Sequence, residues 1–202
     1  MSTENTPVPA PEAAPPATSA VPLCNMIVGM LIITQFPVMF GMISAEQTIW
    51  LLPWILCAYP MIIICVVKMF RDGAMMDATI NGVLSVVLMG QNAISAAIYL
   101  AYSSNGQAVP PEVMMGMAQI NGMAFLCGAC ILLPFSYLMF KGNKVAGICV
   151  ACAGIGFLAL FPTYWGIANL GLVAGIGLTI LGVFLLLPAG VLLLFPQKQP
   201  QA

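Results

Sequence analysis

The sequence predicts an all-α membrane protein with six transmembrane helices and both termini in the cytoplasm, and three observations carry that expectation. The first is composition. Of 202 residues, 61% are hydrophobic and only 5% are charged, against roughly a quarter charged in soluble domains. The second is segmentation. Six apolar stretches, near 23–43, 49–69, 78–102, 113–139, 145–165 and 170–195, are each long enough to cross a hydrocarbon core of about 30 Å at about 1.5 Å per residue. The third is the placement of positive charge. Lys68 and Arg71 flank the second connection, Lys141 and Lys144 sit in the fourth, and Lys198 follows the last span. Lys and Arg are retained on the cytoplasmic side. Six spans therefore put every positive charge in the cytoplasm and leave the first, third and fifth connections without one.

Taken in order, residues 1–20 consist largely of Pro, Ala, Ser and Thr with two Glu. They cannot bury enough apolar surface to offset their ordering entropy, so a disordered tail is expected. The first Lys is Lys68; the start thus lacks the positive region of a secretory signal, and the first apolar run is expected to be a retained span. The six-helix domain covers 21–196, and 197–202 form a short cytoplasmic tail. Pro37, Pro53, Pro60, Pro134, Pro162 and Pro188 fall within apolar runs, where each removes a backbone donor; we assign them to bundle shape. Gly171 and Gly175 form a GxxxG pair, with Gly182 following, a pattern that lets helix backbones approach closely. The Met residues read as core and lipid-facing filler.

Composition also excludes function classes. A net charge of −1 offers no basic patch for a nucleic-acid backbone. With no His, the commonest general base and metal ligand is missing; no enzyme activity and no cofactor are expected. Glu46, Asp72, Asp77 and Glu112 fall in connections or at helix starts, so no carboxylate relay of the kind pumps use runs through the membrane. Two CxxC pairs, Cys127 with Cys130 and Cys149 with Cys152, would suggest a zinc site in a soluble protein. Here both lie inside apolar helices, where thiols act as small hydrophobes, and no metal is expected.

The polarity that the spans do hold is neutral and concentrated in the third. At about 100° per residue, Asn81, Ser85, Asn92, Ser95 and Tyr99 fall within about 40° of the direction of Asn81, and Leu88 interrupts the stripe. A narrow, half-wet path with an apolar constriction needs such a pattern. The same residues would equally serve as interhelical glue. Gln91 falls on another face, and Gln119 and Asn121 in the fourth span are weaker candidates.

Three segments carry a family resemblance. Ser19-Ala20-Val21-Pro22-Leu23-Cys24-Asn25, just before the first span, keeps the Pro-Leu of an N-P-A-P-L-G-L opening. Lys68 to Thr79 resembles a turn of the type E-[YF]-[RK]-x-G-N-T-F-G-x-T, and Met139-Phe140-Lys141-Gly142-Asn143-Lys144 resembles a hydrophobic-L-[KR]-x-[NA]-[RK] turn after span four. In this order, over about 19–195, the chain resembles a divergent member of the acetate uptake transporter family, the succinate–acetate/proton symporters. An aromatic-rich Y-G-x-F-W start to span three is here Leu84-Ser85-Val86-Val87-Leu88.

The resemblance implies a carrier or channel for acetate-like monocarboxylates in the plasma or inner membrane, moving the acid with a proton. It also implies a cyclic homo-oligomer, a hexamer, with one path in each protomer. The resemblance adds Pro22, Leu23, Asn25 and Leu84 to the stripe residues Asn81, Ser85, Leu88, Asn92 and Ser95 as expected path residues. A channel for a small neutral solute such as urea, a short amide or ammonia is the nearest alternative, and a non-catalytic subunit of a membrane complex is another.

Overall fold

The structure, a computed structural model, describes residues 19–194. The tail expected before Ser19 and the C-terminal segment with Lys198 lie outside the described residues, as do the side chains of Glu46 and Pro188. Among the described residues every regular element is helical. α1 spans Val21–Thr34, α2 Phe36–Met39, α3 Leu52–Arg71, α4 Met75–Leu84, α5 Gln91–Ser104, α6 Pro111–Gly142, α7 Lys144–Tyr164 and α8 Gly171–Leu194. Five stretches are long and apolar enough to cross a membrane: Val21–Met39, Gln47–Arg71, Met75–Ser104, Pro111–Gly142 and Lys144–Tyr164. α8 has 24 residues, and its portion Gly171–Leu187 is a shorter apolar helix.

Three expected spans differ in ways that matter for function. The first, expected as one helix over 23–43, breaks at Gln35 between α1 and α2. Pro37 enters α2 within its first two positions, where its missing N–H costs nothing to α2, but it cannot continue the ladder of α1 by donating to the carbonyl four residues back, at Ile33. The first connection, expected over 44–48, is already helical: Ala45–Leu51 form a 3₁₀ helix that leads into α3. Ser44 opens it, its N–H donating to Gln47 Oε1 at 2.8 Å. The third span is continuous from Met75 to Ser104 but π-helical over Ser85–Gly90. Of the prolines, Pro60, Pro134 and Pro162 lie within α3, α6 and α7.

Sequence explains the turns that order these helices. α3 ends with Lys68 donating to both carboxylate oxygens of Asp72, at 2.7 and 3.0 Å, a cation where the helix dipole favours one. Gly73 then reverses the chain at φ 80°, a region open to glycine at no steric cost. α6 and α7 are joined by Asn143 alone, which is extended and caps α7 by accepting from the Ala146 N–H at 3.2 Å. So tight a hairpin needs a small residue in the first turn of α7: a Cβ on Gly147 would stand 2.5 Å from the Phe140 Cα.

α7 packs on α6 and α8, and α8 closes the bundle against α1, which in turn packs on α3 and α4. The glycines of α8 serve these contacts within one chain. A Cβ on Gly182 would lie 3.0 Å from Ile32, and one on Gly175 2.8 Å from the Phe40 ring. The outer faces carry large apolar side chains, including Leu56, Ile64, Ile94 and Leu172, with Ile120 72% exposed. In water such a surface invites association; it is consistent with a membrane-embedded protein. The two ends differ. Trp50, Trp54 and Trp165 gather at one, where α3 begins and α7 ends, and Lys68, Arg71, Lys141 and Lys144 gather at the other. Trp favours the membrane–water interface.

Candidate functional site

Two polar cavities share the third span as a wall, one near each end. At the Trp end, a cavity of about 210 Å³ is lined by Asn92, Ser95, Tyr99, Asn121, Thr48 and Tyr164 together with apolar residues. Asn92 Nδ2 donates to Gln35 Oε1 at 2.8 Å and to the Leu88 carbonyl. Asn121 Nδ2 donates to Ser95 Oγ at 3.2 Å, and Gln91 Nε2 donates to the Asn121 carbonyl at 3.1 Å. The break in the first span is what brings Gln35, which is buried, opposite Asn92.

At the Lys end, a second cavity of about 210 Å³ is lined by Asn25, Asp77, Asn81 and Asn143 with apolar residues of α4, α6, α7 and α8. Asn81 Nδ2 donates to Asn25 Oδ1 at 3.1 Å and to the Asp77 carbonyl at 2.9 Å. A carbonyl can only accept, so the Asp77 carbonyl fixes the amide with its nitrogen toward the helix. The Asn81 Oδ1 is then left buried with no hydrogen-bond partner, a state that costs about 1–3 kcal/mol when nothing fills it.

Between the cavities the third span is apolar. Leu84 and Leu88, 1% and 2% exposed, belong to one core cluster with Val28, Leu31 and Ile32 of α1. Ser85 turns inward on its own helix, donating to the Asn81 carbonyl at 2.6 Å. Asn81 and Asn92 stand about 15 Å apart along the axis at helical rise.

The structure thus divides the stripe expected from an uninterrupted helix. The division is one of depth: Asn81 bonds Asn25 near the start of the first span and Asn92 bonds Gln35 near its end. Asn81 lines the cavity at the Lys end; Asn92, Ser95 and Tyr99 line the one at the Trp end. Of the expected path residues, Asn25 and Asn81 meet directly, Asn92 and Ser95 share the opposite cavity, and Leu84 and Leu88 form the layer between. Pro22 and Leu23 line neither cavity, and Leu23 is 36% exposed.

Gln35, Thr48, Asp77 and Asn143 contribute to the two polar sites without having been singled out as path residues. Gln35, a polar residue in an apolar run two positions before a proline, was the most readable signal. Asn143 could be placed only once the α6–α7 hairpin was known.

All seven cysteines are free. Cys127 and Cys130 are exposed while Cys149 is buried, so the two CxxC pairs do not present a common face. Among the described residues no cluster of three or more potential metal ligands forms. Cys24 and Cys65 are both buried in the core cluster, on α1 and α3.

In comparison with protein-family models, curated proteins and solved structures, the chain matches none. Fold and site by themselves define an all-helical protein with membrane-length apolar helices and a polar cavity at each end of one of them.

Proposed function

We propose that the chain is a membrane transporter for small monocarboxylic acids of the acetate type, a divergent relative of the acetate uptake transporters, and that it moves the acid together with a proton. The observation that carries this reading is the pair of polar cavities on opposite ends of Met75–Ser104 with the Leu84 and Leu88 layer between them. Alternating polar and dry segments suit a solute that must be desolvated briefly but not at every step. No Lys or Arg lines either cavity. An anion would therefore meet neutral amides and hydroxyls and, at the Lys end, the Asp77 carboxylate, which repels it, and the uncharged acid crosses such a path at far lower desolvation cost.

The finer topology belongs to the same proposal. α8 is the sixth span, both termini are cytoplasmic, and the Lys end faces the cytoplasm, supported by the one-sided basic residues. The protomers assemble as a cyclic homo-oligomer, a hexamer on the family resemblance, each with its own path. The same absence of basic lining supports a second reading, a channel for a small neutral solute such as urea or ammonia.

A solute panel separates the two. Purified protein in vesicles, offered labelled acetate, propionate and urea at pH 6, is expected to take up the two acids faster than protein-free vesicles. Uptake of urea alone would transfer the assignment to the neutral-solute channel.

A further inference from the structure

The cavity at the Trp end presents one hydrogen-bonding edge whose polarity is fixed. A primary amide has two hydrogens to donate and one oxygen that accepts. Asn92 spends both hydrogens, one on Gln35 Oε1 at 2.8 Å and the other on the Leu88 carbonyl. A backbone carbonyl can only accept, so this bond holds the amide nitrogen toward the helix. Among the described residues no donor reaches Asn92 Oδ1, and the one side-chain oxygen or nitrogen that is both shut off from water and without a partner is Asn81 Oδ1. Asn92 Oδ1 therefore keeps open surface, and the space that Asn92 lines is this cavity. Ser95 lines it too, as the i, i+3 neighbour of Asn92 on the helix surface. Its Oγ accepts from Asn121 at 3.2 Å and still has its own hydrogen to donate. The wall thus sets an acceptor beside a donor.

We propose that Asn92 Oδ1 and the Ser95 hydroxyl together bind a protonated carboxyl group, accepting from its O–H and donating to its C=O, and so select the undissociated acid over its anion. This rests on the transport reading, which supplies the solute. A carboxylate has only acceptors. It would bring an oxygen against Asn92 Oδ1 with no hydrogen between them, and a site built around a donated hydrogen rejects the analogue that lacks it. A primary amide carries a donor beside an acceptor at every pH, so acetamide is a permanently neutral double of acetic acid for this edge. Among the described residues the titratable side chains lining the cavity are Tyr99 and Tyr164, and a phenol titrates at about 10, above the range in which acetate changes form. Glu46 lies two positions before Thr48 of the cavity wall in the sequence, and its substitution is part of the test.

The test is saturation-transfer NMR of acetate and of acetamide with the purified protein in detergent from pH 5 to pH 8. Acetate is expected to bind about tenfold more weakly with each unit of rising pH, as the undissociated fraction falls, and acetamide to bind equally throughout. Both are expected to weaken at least about tenfold in Asn92→Leu, with melting as the check that this variant is folded. Should it unfold, Ser95→Ala is expected to weaken both solutes in the same way. Glu46→Gln is expected to keep the acetate profile of the parent. Acetate bound as tightly at pH 8 as at pH 5, either solute bound without the other, neither bound, or a pH profile lost in Glu46→Gln overturns the proposal, as does binding that Asn92→Leu and Ser95→Ala both leave intact. Uptake is not part of this readout, so an acid that binds as expected but is not carried would overturn the transport reading alone.

Discussion

Asn81 and Asn92 are the same residue type on one continuous span, yet they serve different cavities. Asn92 is tied to Gln35 on α1 and faces the cavity at the Trp end; Asn81 is tied to Asn25 and faces the cavity at the Lys end. Asn92→Leu is expected to cut acetate flux severalfold in vesicles with a modest drop in melting temperature, because it removes a polar side chain from the cavity wall together with its tie to Gln35. Gln91→Leu acts elsewhere. It removes a tie to the Asn121 carbonyl, and interhelical bonds of this kind average about 0.6 kcal/mol in membranes. A small drop in melting temperature with mild loss of flux is expected. Equal flux in Asn92→Leu and the parent would reassign the amides to helix packing.

Among the elements, the third span and the α6–α7 hairpin set the geometry. The hairpin turns on Asn143 and Gly147, and Gly147→Ala would drive a methyl into the Phe140 backbone. The expected result is a loss of stability of at least about 1–3 kcal/mol, the usual cost of overpacking, read as a lower melting temperature in detergent, with displacement of Asn143 from the cavity. A melting temperature equal to the parent's would show that the hairpin opens freely.

The sequence made these helices legible because apolar length and turn residues act locally: observed ends at Arg71, Ser104, Gly142 and Tyr164 lie within three residues of the expected ones. The polar residues of the third span were legible as well. Their division between two cavities was not, since each cavity is completed by residues far along the chain, Asn143 at one end and Thr48, Asn121 and Tyr164 at the other, which the period of a single helix cannot place. Gln35 was obscured in the same way by the break between α1 and α2, where distance along the chain says nothing about the Asn92 amide it meets.

For the whole molecule, the asymmetric ends make topology testable. With the Lys end in the cytoplasm, a single Cys placed at Asn105 in a cysteine-free variant is expected to react with an impermeant thiol reagent in intact cells, and one placed at Gln199 is not. Labelling at Gln199 alone would invert the protein, and labelling at both would remove a span.

Passage of the acid in its uncharged form is tested most directly by labelled-acetate uptake into protein-containing vesicles from pH 8 to pH 5. Small carboxylic acids titrate near the Asp and Glu side chains, at about 4, so over this range the uncharged fraction grows nearly tenfold per unit of acidification. Uptake is expected to rise steadily as external pH falls, to saturate with acetate and to exceed that of protein-free vesicles at every pH. Uptake that is flat from pH 8 to pH 5, or no greater than in protein-free vesicles, would contradict it.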